Sequence, residues 1–404
     1  MMVFFANRVP PKARDAYRKD TVSGMLGAVM LGLTAPFIAV IARKVLHASA
    51  VEIAILSMAP VAGNLFSLLW ANIMEGRRKM PFAVWSWIAA RSMLLLTAFA
   101  QSSGLFVGMI SAYYFIASIA SPAYSAIMKE VYPDGDRARI MGYARVCTIG
   151  VYVLVTAMAS SFLAGHNYRI VFPIAGLFGI ASVLSFARIH SMDNSGNSSV
   201  PLIRFIRDGL LILRDDRGFR WFCTGIFIFG FANFMAQPAQ TIYAVDIGVD
   251  TRWAGFYSIL SASAMIIAYF YWGAYTDRKR PEAVIALQAG CWALIPLNYA
   301  VATKPWMLIP TAIISGVIGA GIELSYFTGV LRFAPSDRIT QYQAIFLSLM
   351  AIRGILAPFL GALLQKPELL GEKGVFIVAA AMILSSVIVQ LIGMCKYKSQ
   401  VSNC

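Results

Sequence analysis

Apolar residues in this chain fall into long blocks separated by short segments rich in charge, glycine and proline. At 1.5 Å rise per residue, a block of about 20 residues spans the roughly 30 Å hydrocarbon core of a bilayer. The punctuation predicts helices over residues 21–46, 50–74, 81–101, 104–128, 138–163 and 169–189. After a polar interval, the pattern resumes over 219–245, 252–276, 282–303, 305–331, 339–364 and 374–395. Twelve crossings would return both termini to one side of the membrane.

Composition sharpens this picture. The 404 residues are 59% hydrophobic and 13% charged, against about 45–50% and about 25% in soluble domains. An ordinary cytosolic globule and low-complexity disorder are both excluded. The net charge of +15 would suggest nucleic acid in a soluble protein, but its distribution points to topology instead. One set of loops receives the basic N-terminus, Arg77, Arg78 and Lys79, Lys129 with Arg137 and Arg139, the segment Arg188 to Arg220, Arg278 to Arg280, Arg332 with Arg338, and Lys396 with Lys398. These hold about 24 of the cations and the opposite set about seven, the asymmetry expected of loops retained in the cytoplasm. The expectation is therefore a multi-pass protein of the cytoplasmic (inner) membrane, both termini cytoplasmic, with the lipid bilayer rather than nucleic acid as its surroundings. The first apolar run lacks a short cleavable h-region, so it is expected to be retained as a helix. The five cysteines are scattered without CxxC spacing and suggest neither a disulfide framework nor a metal site.

Between the two sets of helices, Ser191 to Ser199 is small and polar, a flexible linker by composition. From Leu202 to Arg217, Arg204, Arg207, Asp208, Arg214 and Asp215 recur at helical spacing opposite Ile203, Ile206, Leu210 and Leu213. This pattern suits an amphipathic helix on the cytoplasmic membrane surface. The expected organisation is an N-terminal bundle over 1–189, a linker with its surface helix over 190–218, and a C-terminal bundle over 219–404.

The two sets share landmarks at half the chain length, the signature of an internal repeat. Pro36 and Pro238, Trp70 and Trp272, Tyr124 and Tyr326, and Pro133 and Pro335 are each 202 residues apart. The loop after the second helix of each set is the strongest match: WANIMEGRRKMP from Trp70, and WGAYTDRKRP from Trp272. At these residues the chain resembles the major facilitator superfamily, whose signature between the second and third helices of a half is G-x-x-x-D-R-x-G-R-K. Gly273, Asp277, Arg278, Lys279 and Arg280 form a shortened copy, while Gly76, Arg77, Arg78 and Lys79 remain in the first half with Ile73 at the Asp position. The resemblance implies an all-α membrane protein of twelve transmembrane helices in two pseudo-symmetric six-helix bundles, working by alternating access. It also implies a gating role for Asp277, Arg278, Arg280, Arg77 and Arg78, with a plain positive-inside loop as the other reading.

Charges inside bilayer spans are costly and mark functional candidates. Glu323 and Arg353 lie near the middle of their helices, which the resemblance places beside a central cavity. Glu323 is a candidate proton carrier and Arg353 a candidate substrate contact; a static ion pair between them is the competing reading. Arg145, Thr148, Tyr152 and Thr156 give the fifth helix one polar face, with Arg145 near enough to its end to snorkel. Asn233, Gln237 and Gln240 form a stripe beside Pro238 on the seventh helix, and Tyr114, Ser118, Ser121 and Ser125 a similar face on the fourth. Tyr326 lies one turn beyond Glu323. The expected substrate contacts are Arg145, Tyr152, Tyr114, Ser118, Asn233, Gln237, Gln240, Tyr326 and Arg353, with ordinary polar helix packing as the alternative. Arg91 is expected to find a packing partner such as Asn64.

No cluster of acid, base, nucleophile or metal ligand emerges, and no Walker loop or dinucleotide fingerprint, so neither an enzyme nor a cofactor is expected. The reading is a secondary transporter for a small organic solute that is anionic or zwitterionic, with protons as a candidate coupling ion; the resemblance implies a functional monomer. The alternatives are efflux of amphipathic or cationic compounds, and a membrane sensor that binds without transporting.

Overall fold

The computed structural model describes residues 5–66, 69–70, 73–74, 77–133, 137–163, 168–190, 211–278, 281–334 and 339–401. Helices dominate them. We number them α1 (Arg14–Thr34), α2 (Ala50–Ala62), α3 (Lys79–Leu96), α4 (Ser103–Val131), α5 (Arg137–Phe162) and α6 (Tyr168–Phe186). The series continues with α7 (Arg217–Asp246), α8 (Thr251–Arg278), α9 (Pro281–Trp292, resuming as Leu294–Val301), α10 (Ile309–Phe333), α11 (Ile339–Leu364) and α12 (Gly371–Val401). Each predicted span overlaps one of them, although α1 starts earlier and ends at Thr34 rather than 46, and α2 ends at Ala62 rather than 74. Among the described residues, ten helices are long and apolar enough to cross a membrane. Large apolar side chains such as Trp85, Phe99, Met158 and Ile267 stand almost bare. In water such faces would drive aggregation; against lipid tails they cost nothing.

Local sequence explains where the helices start and stop. Ser49 caps α2 through a reciprocal capping box with Glu52, whose carboxylate accepts from the Ser49 amide at 2.7 Å. Asp216 caps α7 by accepting from the Phe219 amide at 2.8 Å. Pro36 has no amide hydrogen for the helical ladder; α1 gives way there to a turn, then to a π-helical segment at Ile41–Val45. The linker stretch 191–210 lies outside the described residues, and with it most of the expected surface helix; Leu211–Asp215 is helical.

The chain divides into two compact units. Unit 1 comprises residues 1–48, 66–199 and 250–259; unit 2 comprises 49–65, 200–249 and 260–404. Inside unit 1, α1 packs on α5 and α6, and α3 packs on α4 and α6. Inside unit 2, α7 packs on α11 and α12, and α9 packs on α10 and α12. Each pairing in one unit reappears in the other, six helices on, which gives the half-chain repeat seen in sequence a physical form. Two segments depart from chain order. Helix α2 packs on α7 and α11 within unit 2, with Val61 against Gly354. The start of α8 belongs to unit 1, where Ser258 shares a 2.5 Å hydrogen bond with Tyr152 and Gly255 abuts Ser160.

Candidate functional site

In unit 1 the polar face of α4 is largely occupied by its own backbone. Ser118 donates to the Phe115 carbonyl at 2.7 Å and Ser125 to that of Ser121 at 3.1 Å, the local back-bonding that short hydroxyl side chains favour in helices. Tyr114 stacks edge-on against Tyr113, with ring centroids 5.0 Å apart. On α5, Tyr152 turns to Ser258, Thr156 is buried against the Gly32 carbonyl of α1 at 3.4 Å, and Arg145 is exposed. Arg77 and Arg78 are exposed just before and at the start of α3. The side chains of Asp277 and Arg278, and Arg280 altogether, lie outside the described residues.

Arg91, on α3, lies over the ring of Trp87, 5.2 Å from its centroid. Gly179 of α6 gives it room, since a Cβ there would come within 2.7 Å of the arginine Cδ. The Asn64 side chain, the packing partner expected for Arg91, lies outside the described residues. A guanidinium held on a tryptophan in a dry environment gains about 2 kcal/mol, which helps explain how unit 1 accommodates this charge.

In unit 2, Asn233 of the α7 stripe accepts from the Trp292 indole at 3.0 Å, tying α7 to α9, while Gln237 and Gln240 occupy half-buried positions. Glu323 is exposed and accepts a hydrogen bond from the Tyr269 hydroxyl of α8. Arg353 of α11 is 6% exposed. One of its terminal nitrogens donates to the Ile226 carbonyl of α7, and its guanidinium lies 5.9 Å from the centroid of Phe234 and beside Tyr326. Arg353 and Glu323 thus engage different partners, contrary to the ion-pair alternative.

Gly230 makes the Arg353 contact possible. A Cβ at that position would overlap the guanidinium carbon; without one, the arginine lies flat on α7 and reaches a carbonyl that the helix normally shields. The Arg353 Nε is buried without a hydrogen-bond partner among the described residues, and the buried Tyr326 hydroxyl interacts only with the Arg353 guanidinium beside it. Such an unpaired group carries a desolvation cost of about 1–3 kcal/mol, more when charged, until something fills it. Together the two can receive a carboxylate or a similar acceptor, the fork of the guanidinium matching two oxygens.

Asp20 is the residue that the sequence pattern concealed. It lies just ahead of the predicted span 21–46, yet α1 begins at Arg14 and Asp20 is buried in it, accepting from the Tyr132 hydroxyl at 2.8 Å. The Pro10-Pro11 pair was the available signal, because proline at a helix N-terminus starts the helix early. Tyr132 follows the last turn of α4. Burial, then the neighbouring Asp20 carboxylate, pushes its phenol well above the ordinary value, so it remains a hydrogen-bond donor. Among the described residues no group of three or more His, Cys, Asp or Glu could hold a metal ion.

The fold and the buried charges define a polytopic membrane protein of the transporter type. Residues 21–358 match the Major Facilitator Superfamily, and the chain belongs to that family. Among curated proteins nothing matches in sequence. Among solved structures, the chain is similar to a point variant of the nucleoside transporter NupG, with a TM-score of 0.75 at 13% identity over 94% of this chain and 99% of that one. Wild-type NupG gives 0.70 at 13% identity, over 95% and 99%. A bacterial homologue of the human lysosomal transporter Spinster, inward-facing and unoccupied, gives 0.59 at 14% identity, over 95% of each chain. These likenesses establish the fold.

Proposed function

We propose that the protein is a secondary active transporter for a small organic solute bearing a carboxylate or other anionic group, alone or as part of a zwitterion. It moves the solute by alternating access between bundles 1–189 and 219–404, joined by the linker 190–218, and works as a monomer in the cytoplasmic membrane with both termini inside. The observation that carries the anion preference is the Arg353 cluster: a buried guanidinium with an unused Nε, beside the Tyr326 hydroxyl and, among the described residues, with no carboxylate as a partner. In a low-dielectric interior, a solute anion would supply both the missing acceptors and the missing countercharge.

Asn233, Gln237 and Gln240 on α7, with Tyr114, Ser118, Tyr152 and Arg145 on α4 and α5, serve as the remaining contacts. Arg77, Arg78, Asp277, Arg278 and Arg280 latch helix ends as the two sides open in turn. Glu323, held by Tyr269, carries the coupling proton. The nucleoside transporter among the structural neighbours supports an organic solute as cargo.

Flux into proteoliposomes tests this reading across organic anions, zwitterions, nucleosides and cationic amphiphiles. The expected result is uptake of an anion or zwitterion that falls more than about tenfold, or about 1.4 kcal/mol, in Arg353→Gln and less in Arg353→Lys. Glu323→Gln should abolish the response to a pH gradient. Unchanged anion uptake in Arg353→Gln overturns the proposal. Flux of cations alone favours efflux, and binding without flux favours a sensor.

A further inference from the structure

At one end of unit 2, the start of α7 meets the end of α12 in a way the transport reading leaves unused. Trp221 of α7 lies against Gly393 of α12, where a Cβ would come within 2.8 Å of the tryptophan Cβ. Gln390, one turn earlier on α12, donates to the Phe222 carbonyl at 3.1 Å. A crevice opens beside these contacts, lined by Gly218, Trp221, Phe222, Phe333, Gln390 and Gly393; the Gln390 amide is its polar side chain. Arg214, Arg217 and Arg220 are exposed around it, and Arg220 donates to the Arg214 carbonyl at 3.3 Å, which folds its guanidinium back over the turn before the helix. Two carboxylates lie among them. Asp216 is engaged within the unit, accepting from the Phe219 amide at 2.8 Å and the Tyr342 hydroxyl at 3.0 Å, whereas Asp215 is exposed. The sequence of α12 then runs on to Lys396 and Lys398, so positive charge prevails at this end. Away from it, Leu384, Ile388, Leu391 and Ile392 of α12 are exposed, at spacings that place them along one face of the helix.

Exposed arginines, then a half-buried tryptophan, then an apolar ridge follow one another along α7 and α12. That is the order of chemistry along a phospholipid: phosphate, glycerol esters, acyl chain. Guanidinium groups pair with phosphate oxygens, tryptophan favours the ester level of a bilayer, and exposed aliphatic side chains meet the chains below. We propose that this end of unit 2 binds a phospholipid with an anionic headgroup, of the phosphatidylglycerol class. Arg217 and Arg220 hold its phosphate, Trp221 meets its glycerol esters, and one acyl chain lies along Leu384, Ile388 and Ile392. A zwitterionic phospholipid brings its own cation to the arginines and an anionic one does not, so the site selects by charge. On the orientation proposed above, the lipid belongs to the cytoplasmic leaflet. None of the residues assigned to transport takes part, so the site stands or falls independently of that reading.

The test is quenching of tryptophan fluorescence by brominated lipid in the full chain reconstituted into bilayers. Brominated phosphatidylglycerol is compared with brominated phosphatidylcholine, each as a minor component, and the difference between wild type and Trp221→Phe isolates the Trp221 signal. The expected result is a preference of about fivefold for the anionic lipid at Trp221, lost in the double variant Arg217→Gln, Arg220→Gln and weakened at high salt. Equal quenching by the two lipids shows only the bulk bilayer at this surface and overturns the proposal, as does a preference that survives in the double variant. Relief of the quenching by soluble glycerol phosphate would show a site for free phosphate, and overturns it too. If a variant does not fold, mass spectrometry of the wild-type protein released intact from mixed bilayers decides: retained phosphatidylglycerol no more abundant than its share of the bilayer overturns the proposal equally.

Discussion

Unit 1 buries a carboxylate beside a tyrosine, Asp20 with Tyr132, whereas unit 2 buries a guanidinium beside a tyrosine, Arg353 with Tyr326. The helices around them pack by one scheme, α1 on α5 and α6 in the first case and α7 on α11 and α12 in the second. The two units share which helices touch, while their charges differ in sign and sit on non-equivalent helices, α1 and α11. Close packing is what the architecture requires; ionisable groups are additions that each unit accommodates by its own local means. Two arginines within helices, Arg91 half-buried and Arg353 buried, make the same point. Arg91 rests on an indole face and against Gly179, whereas Arg353 presses on Gly230 and reaches through to a carbonyl.

The contrast can be broken most forcefully at the glycines. Gly230→Ala should displace the Arg353 guanidinium and destabilise the protein by about 1–3 kcal/mol, read as a lower unfolding temperature together with loss of stabilisation by any transported anion. Gly179→Ala should cost less, because a Cβ there would come within 2.6 Å of the Met30 sulfur and 2.7 Å of the Arg91 Cδ, whereas one at Gly230 would overlap the buried Arg353 guanidinium.

Tyr132→Phe sharpens the unit 1 side. It removes one buried hydrogen bond and should cost about 1 kcal/mol. It should also alter the alkaline limb of stability. The folded-state phenol is raised above its unfolded value, so the stability it contributes is complete below about pH 10 and is lost as pH rises beyond that. Melting curves through that range should fall less steeply in the variant. Ser49→Ala, which opens the capping box of α2, should lower stability by about 0.5–1 kcal/mol without touching either buried charge. Smallest of all, Arg91→Gln should leave anion flux within about twofold of wild type; a loss matching that of Arg353→Gln would end the distinction between a packed arginine and a binding one.

Much of this architecture was legible in the chain. Apolar blocks of membrane length, landmarks 202 residues apart and the paired basic loops carried the helices, the repeat and the family, because burial in lipid imposes composition over whole segments. The site was harder to read. Hydroxyl stripes look alike whether the side chain faces a cavity or folds back on its own helix, and Ser118 and Ser125 do the latter. Asp20 escaped notice because hydropathy places a helix end at the last charge, whereas the backbone had already begun its helix six residues earlier. Glu323 and Arg353 resembled a pair because both are costly charges in apolar runs. Partners of each, Tyr269 for Glu323 and the Ile226 carbonyl for Arg353, lie on helices that only the folded chain brings near. The exchange of α2 and the start of α8 left no trace in sequence, since packing partners are not encoded by order along the chain.

That exchange has a consequence for heredity. If the gene were cut within the linker, each product would lack a stretch that completes its own packing: the first polypeptide would carry α2 with neither α7 nor α11 to receive it, and the second would carry Gly255 and Ser258 with no Tyr152 or Ser160. The fragments should persist only when made together, because each compact unit is completed by a stretch of chain from the other half.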